Sequence, residues 1–140
     1  MINLAKDVKF MEKDRKTVLL VDDDADFLLQ QKVLLEQAGY RVLPAQGETA
    51  AEEVLRAHRP DLAVLDVMME KLDAGFVLSH RIKKADPTIP VILVTSVSSE
   101  SGIDFDTATA EERSWIKADV LLSKPVRFEQ LTREIDRLLK

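Results

Sequence analysis

The stretch Thr17-Val18-Leu19-Leu20-Val21-Asp22-Asp23-Asp24 sets the pattern by which the rest of the chain can be interpreted. A short apolar run is followed at once by three aspartates, and such a run is typical of a strand buried on both faces. Asp24 suits the N-cap of a helix over Ala25–Ala38, and Gly39 is placed for a left-handed C-cap. The stretch therefore predicts a strand followed directly by a helix.

The same strand-then-helix pattern recurs along the chain. Further apolar runs predict strands at Tyr40–Leu43, Leu62–Leu65, Pro90–Val94 and Val120–Leu122. Amphipathic segments predict helices at Glu48–His58, Val77–Lys84, Ala110–Ala118 and Phe128–Leu139, with a long polar loop over Ser96–Thr109. Five strands that alternate with five helices indicate an α/β fold in which helices cover both faces of a parallel sheet.

Composition narrows the classes of function. The 140 residues are enough for one domain with a buried core. Acidic residues number 25 and basic residues 20, and the net charge of −5 disfavours a general nucleic-acid-coating role. The absence of cysteine excludes disulfides, thiolate metal sites and a cysteine nucleophile.

No apolar run approaches the roughly 20 residues that cross a bilayer, and the charged N-terminus is unlike a signal peptide. We therefore expect a cytoplasmic protein without membrane insertion.

Residues 1–16 differ in composition from the rest of the chain. They contain five basic and three acidic side chains, and Leu4, Val8 and Met11 recur at helical spacing. A short docking helix and a frayed, solvated leader both fit this pattern, and the sequence leaves the two open.

Polar groups follow the ends of four predicted strands. They are Asp22 and Asp23 after the first strand, Asp66 after the third, Thr95 after the fourth and Lys124 after the fifth. In a parallel sheet these ends share one edge. Carboxylates about 4 Å apart repel by roughly 4 kcal/mol per pair at an effective dielectric constant near 20, so three of them require a bound cation or protonation. Oxygen-only ligands favour Mg²⁺, with Mn²⁺ as the alternative ion.

Each of these residues also has an ordinary structural explanation when it is taken alone. An aspartate after a strand is often only a helix cap, and a lysine before a proline is often only a solvated turn. The interpretation as a site depends on the joint pattern, in which four separate strand ends supply complementary groups. A phosphoryl group could then be held by the metal, by Lys124 and by the Thr95 hydroxyl.

With these motifs in place, the chain resembles the receiver domain of bacterial two-component response regulators, in particular single-domain receivers of the chemotaxis-regulator type. The motifs that carry the resemblance are Val21-Asp22-Asp23, Asp66-Val67-Met68-Met69, Thr95-Ser96 and Lys124-Pro125. The resemblance covers Thr17–Lys140, so we expect a receiver domain over 17–140 after the leader at 1–16. It implies a flavodoxin-like, doubly wound (βα)5 fold whose five parallel strands lie in the order 2-1-3-4-5.

The resemblance also implies a phosphoacceptor and a metal site. Asp66 would accept the phosphoryl group as an acyl phosphate. Asp23 and Asp66 would ligate Mg²⁺ together with the backbone carbonyl of Met68, and Asp22 would hold the ion through water. Phosphoryl transfer needs in-line positioning and charge neutralisation more than covalent helpers, which agrees with this set of residues.

Partners are implied by the same resemblance. Lys124 would pair with the phosphoryl group, and Thr95 would move toward it and transmit the change. The donor would be a phosphohistidine on a sensor histidine kinase or a histidine phosphotransfer protein, and phosphorylation would change the binding of a downstream protein or promote homodimerisation. The domain would be a self-phosphorylating phosphoacceptor with autodephosphorylation of its own, and not an enzyme. We expect a stand-alone receiver or a piece of a larger regulator, with no nucleic-acid contact within this chain.

Four features depart from the family pattern. Leu121 occupies the position three residues before the lysine where the family usually has an aromatic residue. Met69-Glu70 replaces the usual Met-Pro, and Asp73-Ala74-Gly75 contains an extra residue between the usual Asp and Gly. The segment from Thr95 to Lys124 is longer than usual by roughly two helical turns. We therefore expect phosphorylation to be retained and the output mechanism to be non-standard.

Two alternatives from other classes stay open at this point. The first is a small Mg²⁺-dependent phosphatase resembling the haloacid dehalogenases, with Asp22 as nucleophile and Asp24 as general acid. The second is a phosphorylation-independent receiver that acts as a protein-interaction module, which the changes at Leu121, Glu70 and Ala74 motivate.

Overall fold

Five parallel strands form one sheet in the computed structural model, which describes residues 15–67, 69, 74–95 and 118–140. The strands are β1 (Thr17–Val21), β2 (Arg41–Ala45), β3 (Leu62–Asp66), β4 (Val91–Thr95) and β5 (Val120–Ser123). Their order across the sheet is β2-β1-β3-β4-β5, and every adjacent pair is parallel. The predicted fold class and strand order are therefore confirmed.

Four helices lie within the described residues. They are α1 (Ala25–Gln37), α2 (Glu48–Ala57), α3 (Ala74–Ala85) and α4 (Phe128–Leu138). The predicted loop over Ser96–Thr109, and all but the last residue of the predicted helix over Ala110–Ala118, lie outside the described residues, as do residues 1–14 of the leader. In the described ranges, no helix is both long and apolar enough to cross a membrane.

Side chains of the strands alternate between two apolar layers, one on each face of the sheet. Leu19 and Val21 belong to a core cluster that also contains residues of α2 and α3, whereas Val18 and Leu20 belong to a cluster with residues of α1 and α4. This alternation is what an extended backbone imposes on successive side chains. Because both faces are covered, β3 and β4 are buried at every position, and the fold is doubly wound as predicted.

β2 runs two residues past the end that the sequence predicts. We expect β2 to end before Pro44, but the strand continues to Ala45. The N–H of Arg41 donates to Lys16 O at 2.9 Å, so alternate N–H groups from Arg41 onward point toward β1 and the nitrogen of Pro44 points to the open edge. Because β2 is the outermost strand, the missing N–H of Pro44 removes no hydrogen bond from the sheet.

The caps of α1 agree with the sequence. The carboxylate of Asp24 accepts hydrogen bonds from the N–H groups of Asp26 and Phe27 at 3.0 and 3.2 Å. At the other end, Gly39 has φ of +103°, the left-handed conformation that glycine adopts without strain. The two caps fix where the chain leaves β1 and where it returns to β2.

We predict that Asp24→Ala lowers the free energy of unfolding by about 1 kcal/mol, because two N–H groups of the first turn of α1 lose their acceptor. Urea denaturation followed by circular dichroism measures the change. Asp24→Ser is the matched control, since serine also caps helices and should keep most of the stability. Equal losses in both variants would contradict the capping role.

Candidate functional site

The strand ends place the predicted site residues at one edge of the sheet. Val21 lies opposite Leu65 in the pairing of β1 with β3, and Asp66 lies opposite Val94 in the pairing of β3 with β4. The pairing of β4 with β5 sets Thr95 opposite Ser123. In these pairings the strands end at nearly the same level. The residues that end or directly follow β1, β3, β4 and β5 therefore meet at the carboxyl edge of the sheet, as the sequence predicts.

Three carboxylates converge at this edge. Asp22, Asp23 and Asp66 each offer a carboxylate oxygen, and these oxygens lie within 4.8 Å of one another. Asp22 is only 2% exposed and Asp66 only 4%, whereas Asp23 is open to solvent. Two of the three charges are therefore held away from water, and the third borders the solvent.

Within the described part of the chain, the ammonium group of Lys124 faces the two buried carboxylates. Lys124 Nζ lies 3.5 Å from Asp22 Oδ2 and 3.4 Å from Asp66 Oδ2. The Lys124 side chain is 33% exposed, and Nζ also lies 5.7 Å from the ring centroid of Phe27 at the start of α1. Lysine in this position pairs with both carboxylates at once, which balances one of their two charges.

Backbone hydrogen bonds hold the site residues in place. Asp24 N donates to Asp22 Oδ1 at 2.9 Å, which orients the Asp22 carboxylate. Lys124 N donates to Thr95 O at 2.7 Å, which continues the pairing of β4 with β5 past the end of β5. Thr95 is buried, at 2% exposure, directly after the segment of β4 that faces Asp66.

Burial and like charge disfavour ionisation of the two buried carboxyls. The pKa of Asp66 is raised to about 6, chiefly by burial and next by the nearby Asp22 charge, while Lys124 opposes both effects. Burial also raises the pKa of Asp22, although the hydrogen bond from Asp24 N and the charge of Lys124 act against it. Burial by itself would lower the pKa of Lys124, but Asp22 and Asp66 outweigh it and the pKa is raised. The ammonium therefore stays charged while the carboxyls repel each other.

The donor set fits a small divalent cation. Three carboxylates and one ammonium leave two formal negative charges at this edge of the sheet. All the ligand atoms are oxygens, which suit Mg²⁺ or Mn²⁺. Met68, whose backbone carbonyl is the fourth predicted ligand, lies outside the described residues.

Two neighbours of the site are not predicted from the sequence. Phe27 lies in the first turn of α1, and its ring lies beside Lys124. Gly75, in the first turn of α3, packs directly against the backbone of Asp66 and Val67. Neither contact has a local sequence signal, because each joins residues from different elements of the fold.

Comparison with known proteins agrees with this geometry. The family model for the response regulator receiver domain matches residues 18–136. The chain belongs to the response regulator receiver domain family. It is a response regulator receiver domain of the two-component systems, and the phosphatase alternative is not favoured.

Curated relatives of the receiver domain are transcriptional regulators. AfsQ1 of Streptomyces coelicolor is 33% identical over 124 residues, and the phosphate regulon regulator PhoB of Pseudomonas aeruginosa is 32% identical over 127 residues; each match covers 89% of this chain. The matches cover 51% and 52% of those two proteins, so the chain spans about half the length of the curated relatives it matches.

Solved receiver structures have the same architecture. A CheY-like receiver domain from Methanospirillum hungatei superposes with a TM-score of 0.74 at 26% identity, covering 90% of this chain and 94% of that one. TrrA of Thermotoga maritima, solved in complex with Mg²⁺ and BeF, superposes with a TM-score of 0.72 at 26% identity, covering 89% and 99%. These likenesses support the fold that the strand order already indicates.

We predict that Asp66→Asn stabilises the metal-free receiver domain at neutral pH. Because the pKa of Asp66 is about 6 in the folded protein and its ordinary value is 3.8, folding takes up a proton between these values, and stability falls as the pH rises through them. The gain should therefore be small near pH 4 and reach at most about 3 kcal/mol above pH 7.

Urea denaturation in the presence of a chelator, repeated across this pH range, measures the effect. Asp26→Asn is the matched control because Asp26 is an exposed carboxylate in the first turn of α1, and the stability of this variant should stay within about 0.5 kcal/mol of the parent. A gain for Asp66→Asn that does not depend on pH would contradict the electrostatic explanation.

Proposed function

We propose that the domain accepts a phosphoryl group on Asp66 from a phosphohistidine, with Mg²⁺ bound at the acidic edge. The observation that carries the proposal is the position of the Asp66 carboxylate, which is buried, paired with Lys124 at 3.4 Å and within 4.8 Å of two further carboxylates. The Asp66 carboxylate is a negatively charged nucleophile beside two further carboxylates. A cation therefore has to be bound before a negatively charged phosphoryl group can approach it. The cluster supplies the ligands for that cation.

Transfer begins with an in-line approach of the donor. A carboxylate oxygen of Asp66 attacks the phosphorus, the phosphorus–nitrogen bond breaks, and the imidazole nitrogen keeps the electron pair. The products are an acyl phosphate on Asp66 and a neutral imidazole, provided that the other ring nitrogen carries the proton. With a pKa of about 6, the Asp66 carboxyl is mostly ionised at neutral pH and ready to act as the nucleophile.

The other residues supply charge and orientation. Lys124 lies where its ammonium can follow the developing charge from the carboxylate to the phosphoryl oxygens. Asp23 and Asp66, with the carbonyl of Met68, would hold the ion directly, and Asp22 would hold it through water. Bound there, Mg²⁺ would neutralise charge on the attacking and equatorial oxygens. The Thr95 hydroxyl would donate a hydrogen bond to the phosphoryl group.

The proposed partners are those that this chemistry requires. A sensor histidine kinase or a histidine phosphotransfer protein would be the donor, and the phosphorylated domain would bind a downstream protein differently or form a homodimer. The domain would turn over only its own acyl phosphate and would not act as an enzyme on other substrates. AfsQ1 and PhoB are transcriptional regulators about twice as long as this chain, and we do not propose nucleic-acid binding for the residues of this receiver domain.

Neither alternative gains support from the structure. The general acid of the phosphatase alternative would be Asp24, but its carboxylate caps α1 by accepting two backbone N–H groups. A phosphorylation-independent module needs no convergence of carboxylates beside a lysine, yet Asp22, Asp66 and Lys124 converge. The proposal of a working phosphoacceptor accounts for these positions.

We predict that incubation with Mg²⁺ and a small-molecule phosphodonor adds one phosphoryl group to the protein. Intact mass spectrometry measures the adduct, and Asp66→Asn should show none while it keeps the fold. Asp24→Ala serves as the control, because loss of the Asp24 carboxylate should leave phosphorylation intact. An adduct of equal yield on Asp66→Asn would refute the site, and loss of the adduct in Asp24→Ala would revive the phosphatase alternative.

We also predict that Asp23→Asn weakens Mg²⁺ binding by at least roughly tenfold, which corresponds to about 1.4 kcal/mol for the loss of one charged ligand. Isothermal titration calorimetry gives the dissociation constant. Asp26→Asn again removes a nearby exposed charge without touching the cluster, so it separates a ligand effect from a change in net charge. Equal titration of Asp23→Asn and the parent would rule out a direct ligand role.

A further inference from the structure

Gly75 brings α3 close to the backbone of Asp66. A Cβ atom built on Gly75 would lie 2.3 Å from Asp66 O, 2.6 Å from Val67 Cα and 2.9 Å from Asp66 C. All three neighbours are backbone atoms, which cannot rotate away as the end of a flexible side chain can. Any side chain at this position therefore has to move either α3 or the Asp66–Val67 segment.

The surrounding packing constrains both α3 and the Asp66–Val67 segment. From the first to the third turn of α3, Ala74, Leu78 and Ile82 are buried, so the helix cannot retreat without opening the apolar core. The Asp66–Val67 segment is at the end of β3, where the strand pairing with β4 finishes with the bond from Val67 N to Val94 O at 2.9 Å. Asp66 and Val67 are buried as well, so a Cβ at position 75 would strain this contact and shift the Asp66–Val67 segment and α3 relative to each other.

A backbone hydrogen bond from Gly75 also ties the Asp66–Val67 segment to α3. Gly75 N donates to Val67 O at 3.0 Å, so the residue after Asp66 is bonded to β4 through its N–H and to α3 through its carbonyl. Glycine in a helix ordinarily costs more helix propensity than any residue except proline. Its presence here is explained by the close approach and not by the needs of the helix.

We infer that Gly75 is a positioning residue for the phosphoacceptor: the absence of a Cβ lets α3 hold the Asp66–Val67 backbone where the Asp66 carboxylate meets Asp22, Asp23 and Lys124. The inference rests on the proposed function, since it gives Gly75 a part in phosphorylation through Asp66. Gly75 has no side chain with which to contact a phosphoryl group or an ion. It acts by setting the distance between Asp66 and the other groups of the cluster.

Gly75→Ala tests this with Gly39→Ala as the matched control. Gly39 has φ of +103° with no atom within 4 Å of a built Cβ, so alanine there strains the backbone far from the carboxylate cluster. Three quantities are measured for each variant and the parent: stability by urea denaturation, the Mg²⁺ dissociation constant by calorimetry, and the phosphorylation rate at saturating Mg²⁺ with a small phosphodonor. Stability alone would not separate the two glycines, whereas the other two quantities would.

We expect Gly75→Ala to bind Mg²⁺ more weakly and to be phosphorylated roughly 10- to 100-fold more slowly at saturating Mg²⁺, because a displacement of about 1 Å misaligns the nucleophile. Gly39→Ala should lose stability and keep the parent's values for the ion and for the rate. A phosphorylation rate of Gly75→Ala equal to that of the parent would overturn the inference.

Two additions to the experiment separate its possible outcomes. If Gly75→Ala is unfolded in dilute buffer, the measurements are repeated for all three proteins in sucrose, which favours the compact state. The parent and Asp66→Asn are assayed in parallel. A parent that gains no phosphoryl group defeats the proposed function itself, whereas a parent and a Gly75→Ala variant that are labelled equally fast defeat only the positioning role.

Discussion

Two carboxylates, Asp22 and Asp66, are kept almost entirely from solvent beside one ammonium group, and the other features of the site depend on that constraint. Buried carboxylates normally become neutral or draw water inward, because an unpaired charge in the interior is costly. Here Lys124 pairs with both, and Asp24 N binds one of them. The remaining negative charge is what makes the site a receptor for a cation and, under the proposed function, for an anionic group brought with it.

The parallel sheet is what can hold such an arrangement against its own repulsion. β3 and β4 are buried along their whole length, and the free energy of that burial offsets the cost of the charges at their ends. Hydrogen bonds from Val67 N to Val94 O and from Lys124 N to Thr95 O continue the pairing beyond the strand ends. The backbone that carries the charged side chains is therefore tied into the same hydrogen-bonded sheet as the strands.

Much of this architecture can be predicted from the sequence, because a switch from apolar to polar residues at a strand end is a local feature. Asp22, Asp66, Thr95 and Lys124 are each found where that switch places them. Features that depend on the arrangement of elements cannot be predicted in this way. Pro44 is tolerated in β2 only because β2 is the edge strand, and the contact of Gly75 with Asp66 exists only once α3 has packed on β3.

The replacement of an aromatic residue by Leu121 bears on how a signal would leave the site. Leu121 is partly buried against the core cluster shared with α2 and α3, opposite Leu93 of β4. A leucine has no polar tip that could exchange a buried partner for water, so it cannot act as a hydroxyl-bearing ring would. Lys124 and Thr95, however, are joined through the backbone at 2.7 Å. Under the proposed function, a phosphoryl group that draws both side chains toward Asp66 would therefore act on the ends of β4 and β5 together through this backbone bond, without a side-chain switch at position 121.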